Sequence, residues 1–203
     1  MNYKLYLITD QSLLHGKNLM DSIADSIKGG VTVVQLREKS ISSKDYIRLS
    51  LQVKKVTDYY HIPLIINDRV DIALAVDATG VHLGLDDMPI HMARKLLGPY
   101  KQIGASACTI VEAIRLEKEG ANYLGVGAMF PTTTKSDTDK VTVTELSQIV
   151  QSVKIPIVAI GGIHENNVAL LQGTKIAGIA VSSGILGKEN VAKAAEKLSN
   201  MNL

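Results

Sequence analysis

The sequence predicts an α/β fold, a single (β/α)8 barrel domain over residues 1–203, on three observations. Short β-branched runs alternate with amphipathic segments along the whole chain. The apolar residues are almost all aliphatic, with one Phe and no Trp, which is the palette of buried parallel strands covered by helices. Polar residues gather just after nearly every expected strand, the end at which a (β/α)8, or TIM, barrel carries its functional groups. An open doubly wound sheet is the main alternative, because periodicity does not separate the two.

Taken in order, the first strand is expected at 4–9 and ends in Thr9-Asp10. A helix over 18–28 repeats Leu19, Ile23 and Ile27 on one face and stops at Gly29-Gly30. The second strand, 31–35, runs into Gln35-Leu36-Arg37-Glu38-Lys39. Tyr46, Leu49, Val53 and Val56 then share a face of a helix over 43–60, with Ser43 as its N-cap. The third strand, 63–66, leads to Asn67-Asp68-Arg69 and a helix over 68–75. His82 lies in the fourth strand, 80–83; Gly84, Asp86 and Asp87 follow, then a helix over 89–97 with Pro89 in its first turn. The fifth strand, 102–105, precedes Ser106 and a helix over 109–119. The sixth, 123–126, opens into Gly127-Ala128-Met129-Phe130-Pro131-Thr132-Thr133-Thr134-Lys135, with a helix over 144–152 beyond. The seventh, 155–160, ends in Gly161-Gly162 before a helix over 166–172. The eighth, 178–181, ends in Ser182-Ser183-Gly184, and a helix over 190–198 closes the series.

Composition excludes several classes. A net charge of +2 lacks the dense basic face of a nucleic-acid binder. The apolar run over 155–160 is far too short to span a bilayer. Cys108 stands alone and cannot form an internal disulfide, and the first residues carry no secretory pattern, so a cytoplasmic protein is expected. The expected partners are small-molecule substrates, with a homo-oligomer allowed and neither nucleic acid nor membrane. No Ser-His-Asp, His-Glu-x-x-His or Cys-x-x-Cys pattern is present, and the glycine turns match neither a P-loop nor a dinucleotide fingerprint. His82 reads as a packed strand-end residue rather than a general base.

The polar clusters point instead to anion chemistry. Threonine hydroxyls and Lys135 suit a phosphate, and Gly127 allows close backbone approach. If the second strand continued, Gln35, Arg37 and Lys39 would face one side, with two cations for a polyanion; the same residues also fit a solvated strand end. Asn67-Asp68 and Asp86-Asp87 offer oxygens to a hard cation such as Mg2+, although Asp68 could equally cap its own helix. Gly161-Gly162 and Ser182-Ser183 follow the last two strands, where barrels hold phosphates.

The segments Gln35-Leu36-Arg37-Glu38-Lys39, Ile66-Asn67-Asp68-Arg69, Gly80-Val81-His82-Leu83-Gly84, Pro131-Thr132-Thr133-Thr134-Lys135 and Ala159-Ile160-Gly161-Gly162-Ile163 together resemble the thiamine phosphate synthase family, in order and in register. The resemblance implies Mg2+ held by Asp68 and Asp87. It implies Arg37, Lys39, Asn67, Ser106, Thr134 and Lys135 around a diphosphate, with Thr132 in the same loop. Gln35 would contact a pyrimidine, and Gly162, Ser182 and Ser183 a thiazole phosphate. The chain departs from the family pattern at Leu85 (usually Gln), Ala128 (usually Pro), Ser182 (usually Val) and Gly184 (usually Ala). A related thiazole tautomerase would need a His in the loop after the sixth strand, where this chain has Ala128. Leu85 keeps open a non-catalytic phosphate-binding barrel, whereas an epimerase-like barrel would retain Gly161-Gly162 but leave the diphosphate set unexplained.

Overall fold

The computed structural model describes residues 1–132 and 140–202. Eight parallel strands close into a barrel in sequence order: β1 (Leu5–Ile8), β2 (Val33–Leu36), β3 (Leu64–Asn67), β4 (Gly80–Leu83), β5 (Gln102–Ala107), β6 (Tyr123–Val126), β7 (Ile157–Ile160) and β8 (Gly178–Val181). The expected barrel is therefore the observed one, and the open sheet is excluded by the pairing of β1 with β8. Around it lie α1 (Leu19–Lys28), α2 (Ser43–Tyr59), α3 (Val70–Ala75), α4 (Ile90–Leu97), α5 (Ile110–Glu119), α6 (Val143–Ser152), α7 (Ser183–Leu186) and α8 (Val191–Ser199).

Several local expectations are corrected. The N-cap of α2 is Ser42, whose hydroxyl accepts the Asp45 N–H at 3.1 Å, not Ser43. The helix expected over 166–172 is a single 3-10 turn, Val168–Leu171, and a second such turn, Gln11–Leu13, follows β1. The short α7 begins where only a turn was expected. Strand β3 extends to Asn67 and β5 to Ala107, so Asn67 and Ser106 are strand residues rather than loop residues.

Because side chains alternate along each strand, one set packs outward against the helices and the other fills the barrel. Leu5 and Leu7 belong to the outer cluster, whereas Tyr6, Ile8, Val33, Ile65, Tyr123 and Val158 form a separate inner one. The inner layer is unusual in holding phenol rings. Tyr3 and Tyr6 lie 4.8 Å and 5.9 Å from Tyr123, centroid to centroid. Glycine on the neighbouring strand makes the room: a Cβ on Gly104 would sit 2.1 Å from Cζ of Tyr123. At the seam between the first and last units, a Cβ on Gly29 would fall 2.3 Å from the Ala192 carbonyl oxygen, so the glycine that stops α1 also admits α8.

Substituting Gly104→Ala is expected to lower unfolding stability by about 3 kcal/mol, because a rigid ring and not a flexible chain end must move. Urea denaturation measures this; an unchanged midpoint would show that the ring is not packed as described.

Candidate active site

All eight strands run parallel, so their C-terminal ends open onto one mouth. Strand β2 ends at Leu36, so the expected alternation reaches only Gln35; Arg37 and Lys39 lie in the loop beyond. Gln35 is 2% exposed, and its Nε2 donates to the Tyr6 hydroxyl at 2.8 Å. The Arg37 backbone N–H donates to Thr9 Oγ1 at 3.0 Å, and its guanidinium stands 3.7 Å from Asp10 Oδ2. That carboxylate offsets part of the positive charge the sequence had offered to an anion.

Asp68 is not a helix cap. The N-cap position of α3 is Arg69, and Asp68 occupies the left-handed region at φ 62°. Its N–H donates to the His82 carbonyl at 2.8 Å, and one carboxylate oxygen lies 2.5 Å from Lys39 Nζ. A non-glycine residue in that conformation costs of order 1 kcal/mol. Beside it, Asp87 Oδ2 accepts the Gly84 N–H at 2.7 Å. Burial, and then the hydrogen-bonded Asp68 carboxyl, push the Asp87 carboxyl above its usual range. Asp86, by contrast, is exposed. Asn67, only 7% exposed, has no partner for its Nδ2 donor, which is expensive unless a ligand supplies an acceptor.

On the adjoining strand, where it is the register partner of Asn67, His82 joins β4 to β5 and β6. Its Nε2 lies 3.1 Å from Ser106 Oγ and its Nδ1 3.2 Å from the Tyr123 hydroxyl. The packed role read for His82 therefore stands, but with polar partners the sequence did not reveal. The Tyr6 and Tyr123 hydroxyls are 2.8 Å apart.

After β6 the chain turns back over β7, with the N–H groups of Met129 and Phe130 donating to the carbonyls of Ile160 and Gly161. Thr132 is half-buried there; Thr134 and Lys135 lie outside the described residues, as does most of the threonine loop. Gly161 and Gly162 take φ 98° and 63°, and a Cβ on Gly162 would meet the Pro131 carbonyl oxygen at 2.5 Å. Glycine is required at that turn for space as well as for conformation. Ser182 Oγ is buried without a partner, and Ser183 is exposed at the start of α7. Gly184 follows from packing: a Cβ would lie 2.6 Å from the Ile163 carbonyl oxygen. Leu85 is 48% exposed on the loop after β4, and Ala128 is buried.

Among the described residues, no cluster of three or more His, Cys, Asp or Glu could hold a metal alone. The donor set that exists is two neighbouring carboxylates, Asp68 and Asp87, whose mutual repulsion a cation would relieve. That suits Mg2+, which takes one or two carboxylates and completes its shell with water and phosphate oxygens.

A family profile described as thiamine monophosphate synthase matches residues 5–185 of the chain. The thiamine-phosphate synthase of Clostridium tetani is 53% identical over 195 residues, 96% of this chain and 93% of that protein. That of Clostridium acetobutylicum is 53% identical over 191 residues, 94% and 90% of the two chains. The solved thiamine phosphate pyrophosphorylase of Pyrococcus furiosus superposes with a TM-score of 0.89 at 42% identity, covering 97% of this chain and 94% of that one. A 3-hexulose-6-phosphate synthase shares the fold alone, at 16% identity and a TM-score of 0.72.

The acidic pair predicts a trade between stability and binding. An acid whose folded-state pKa is raised contributes stability only at low pH, and loses it as pH rises through the folded value. Asp87→Asn removes that loss and keeps an acceptor for the Gly84 N–H. It should raise the melting temperature in chelator at neutral pH by about 2 °C, and remove the further rise expected of the unsubstituted protein when Mg2+ is added. Calorimetry with and without Mg2+ checks both; a melting temperature that falls in chelator would remove the repulsion from the account.

Proposed function

The chain belongs to the thiamine monophosphate synthase family, its reaction is thiamine phosphate synthesis, and from that premise we propose how the residues at the mouth carry it out. The reaction joins 4-amino-2-methyl-5-hydroxymethylpyrimidine diphosphate to 4-methyl-5-(2-phosphooxyethyl)thiazole and releases pyrophosphate. The observation that carries the site assignment is the acidic pair Asp68 and Asp87 with Lys39 at its edge and the unpartnered Asn67 donor beside it.

In this reading Asp68 and Asp87 hold Mg2+ against the diphosphate, with Arg37, Lys39, Asn67, Ser106, Thr134 and Lys135 donating to its oxygens and Thr132 lining the loop. Bound there, Mg2+ supplies Lewis-acid stabilisation of the charge that develops on the leaving group. Gln35 orients the pyrimidine. Gly162, Ser182 and Ser183 hold the thiazole phosphate, and the buried Ser182 hydroxyl gains the partner it lacks. The thiazole nitrogen attacks with a lone pair and carries no proton, so no general base is needed. The barrier is expulsion of pyrophosphate, and groups that bind the departing negative charge more strongly than the intact ester lower it. A tautomerase reading would need a proton-transfer group where the buried, inert Ala128 stands. The lone free cysteine fits a cytoplasmic setting for such an enzyme.

Purified protein with Mg2+ should release pyrophosphate only when both substrates are present, form thiamine phosphate, and stop with chelator. Release with one substrate omitted would overturn the reading. Lys135→Ala should lower kcat about 100-fold with the melting temperature unchanged; an unaltered kcat would take Lys135 out of the mechanism.

A further inference from the structure

Gln35, Tyr6, Tyr123, His82 and Ser106 form a continuous hydrogen-bonded line across the barrel interior, with successive separations of 2.8, 2.8, 3.2 and 3.1 Å. Its two ends are residues of the proposed ligand site, and its middle is not. The proton count along the line leaves little freedom. An amide nitrogen only donates, so with Nε2 turned to Tyr6 the Tyr6 oxygen accepts and its one proton points to Tyr123. Tyr123 then gives its proton to His82 Nδ1, and a neutral His82 carries its proton on Nε2 and donates to Ser106 Oγ. Ser106 accepts, and its own proton is left for a ligand. If the Gln35 amide were turned over, every donor in the line would reverse and Ser106 would have to give its proton to His82. Burial keeps both tyrosine hydroxyls protonated, so each has one proton to give.

We propose that this line is a directional relay in which a ligand N–H donor at the Gln35 carbonyl turns the Ser106 hydroxyl outward as a donor to an anionic oxygen. The inference rests on the site reading given above. The ring amino group of the pyrimidine supplies the N–H, and the diphosphate supplies the oxygen. Binding of the correct ring thus arms a donor to the leaving group at the far end of the same substrate, and a ring that offers an acceptor instead disarms it. Tyr6, Tyr123 and His82 are positioning residues; none needs to touch the reacting atoms.

The test uses the whole protein, labelled with 15N at histidine, with Mg2+ and the pyrimidine diphosphate. His82 is identified by the signal lost in His82→Gln, and long-range proton–nitrogen correlation reads which ring nitrogen carries the proton. A proton on Nε2 in the complex is expected; a proton on Nδ1 overturns the relay. Tyr123→Phe keeps the ring and breaks the line. It should lower kcat about tenfold and lower the melting temperature, because the Tyr6 hydroxyl and His82 Nδ1 lose a buried partner, while leaving the KM for the thiazole phosphate unchanged. The effects of Gln35→Ala and Ser106→Ala on kcat, non-additive in the parent, should become additive in Tyr123→Phe. An unchanged kcat in Tyr123→Phe, or additivity already in the parent, overturns the relay. If Tyr123→Phe does not fold, the tautomer in the unsubstituted protein decides. A protein that makes no thiamine phosphate defeats the site reading itself; one that turns over with the proton on Nδ1 defeats only the relay.

Discussion

The alternation of side chains along a closed parallel sheet is the constraint from which the rest of this molecule follows. Once β1 pairs with β8, each strand must send every second side chain into a narrow interior. Most such interiors are filled by branched aliphatic residues. Here part of the volume is taken by Tyr6 and Tyr123, and Gly104 supplies the space for the Tyr123 ring. Phenols cannot be buried without partners for their hydroxyls. The interior is therefore polar along one line, and that line ends at residues of the mouth. The same geometry that makes the core also wires one side of the site to the other.

The mouth itself is held under electrostatic tension. Asp68 sits in a conformation that disfavours side chains, and Asp87 beside it resists ionisation. Lys39 relieves only part of this, and Arg37 is partly committed to Asp10. Asn67 and Ser182 keep polar atoms buried without partners. The unpartnered polar atoms and the raised Asp87 carboxyl each cost stability. Sites that bind charge are commonly built at such a local loss.

Much of this was legible from sequence, for identifiable reasons. β-branched runs flanked by glycine and charge located every strand, and the polar residues after them located the mouth. Asn67 and Ser106 were expected one step beyond their strands, because hydrogen bonding to the neighbouring strand extends pairing past the apolar run. Ser42 and Ser43 offer the same cap chemistry, and only backbone geometry chose between them. The positive φ of Asp68 has no composition signal. The Tyr6–Tyr123 contact spans 117 positions, so no local pattern could have announced it. Asp10 was noted only as a strand-end residue, and its pairing with Arg37 depends on the register of β1 against β2.

The seam at which Gly29 admits α8 bears on how the chain matures during synthesis. The acidic side of the mouth, through Asp87, is translated well before Ser182 and the helix that closes the seam. Closing a barrel requires its most distant segments to meet, which is the slowest kind of contact to form. A fragment that ends before β8 therefore lacks the strand that closes the sheet against β1. Glycine at the seam leaves that last docking unobstructed, since a Cβ there would meet the Ala192 carbonyl oxygen and the Ala195 methyl group.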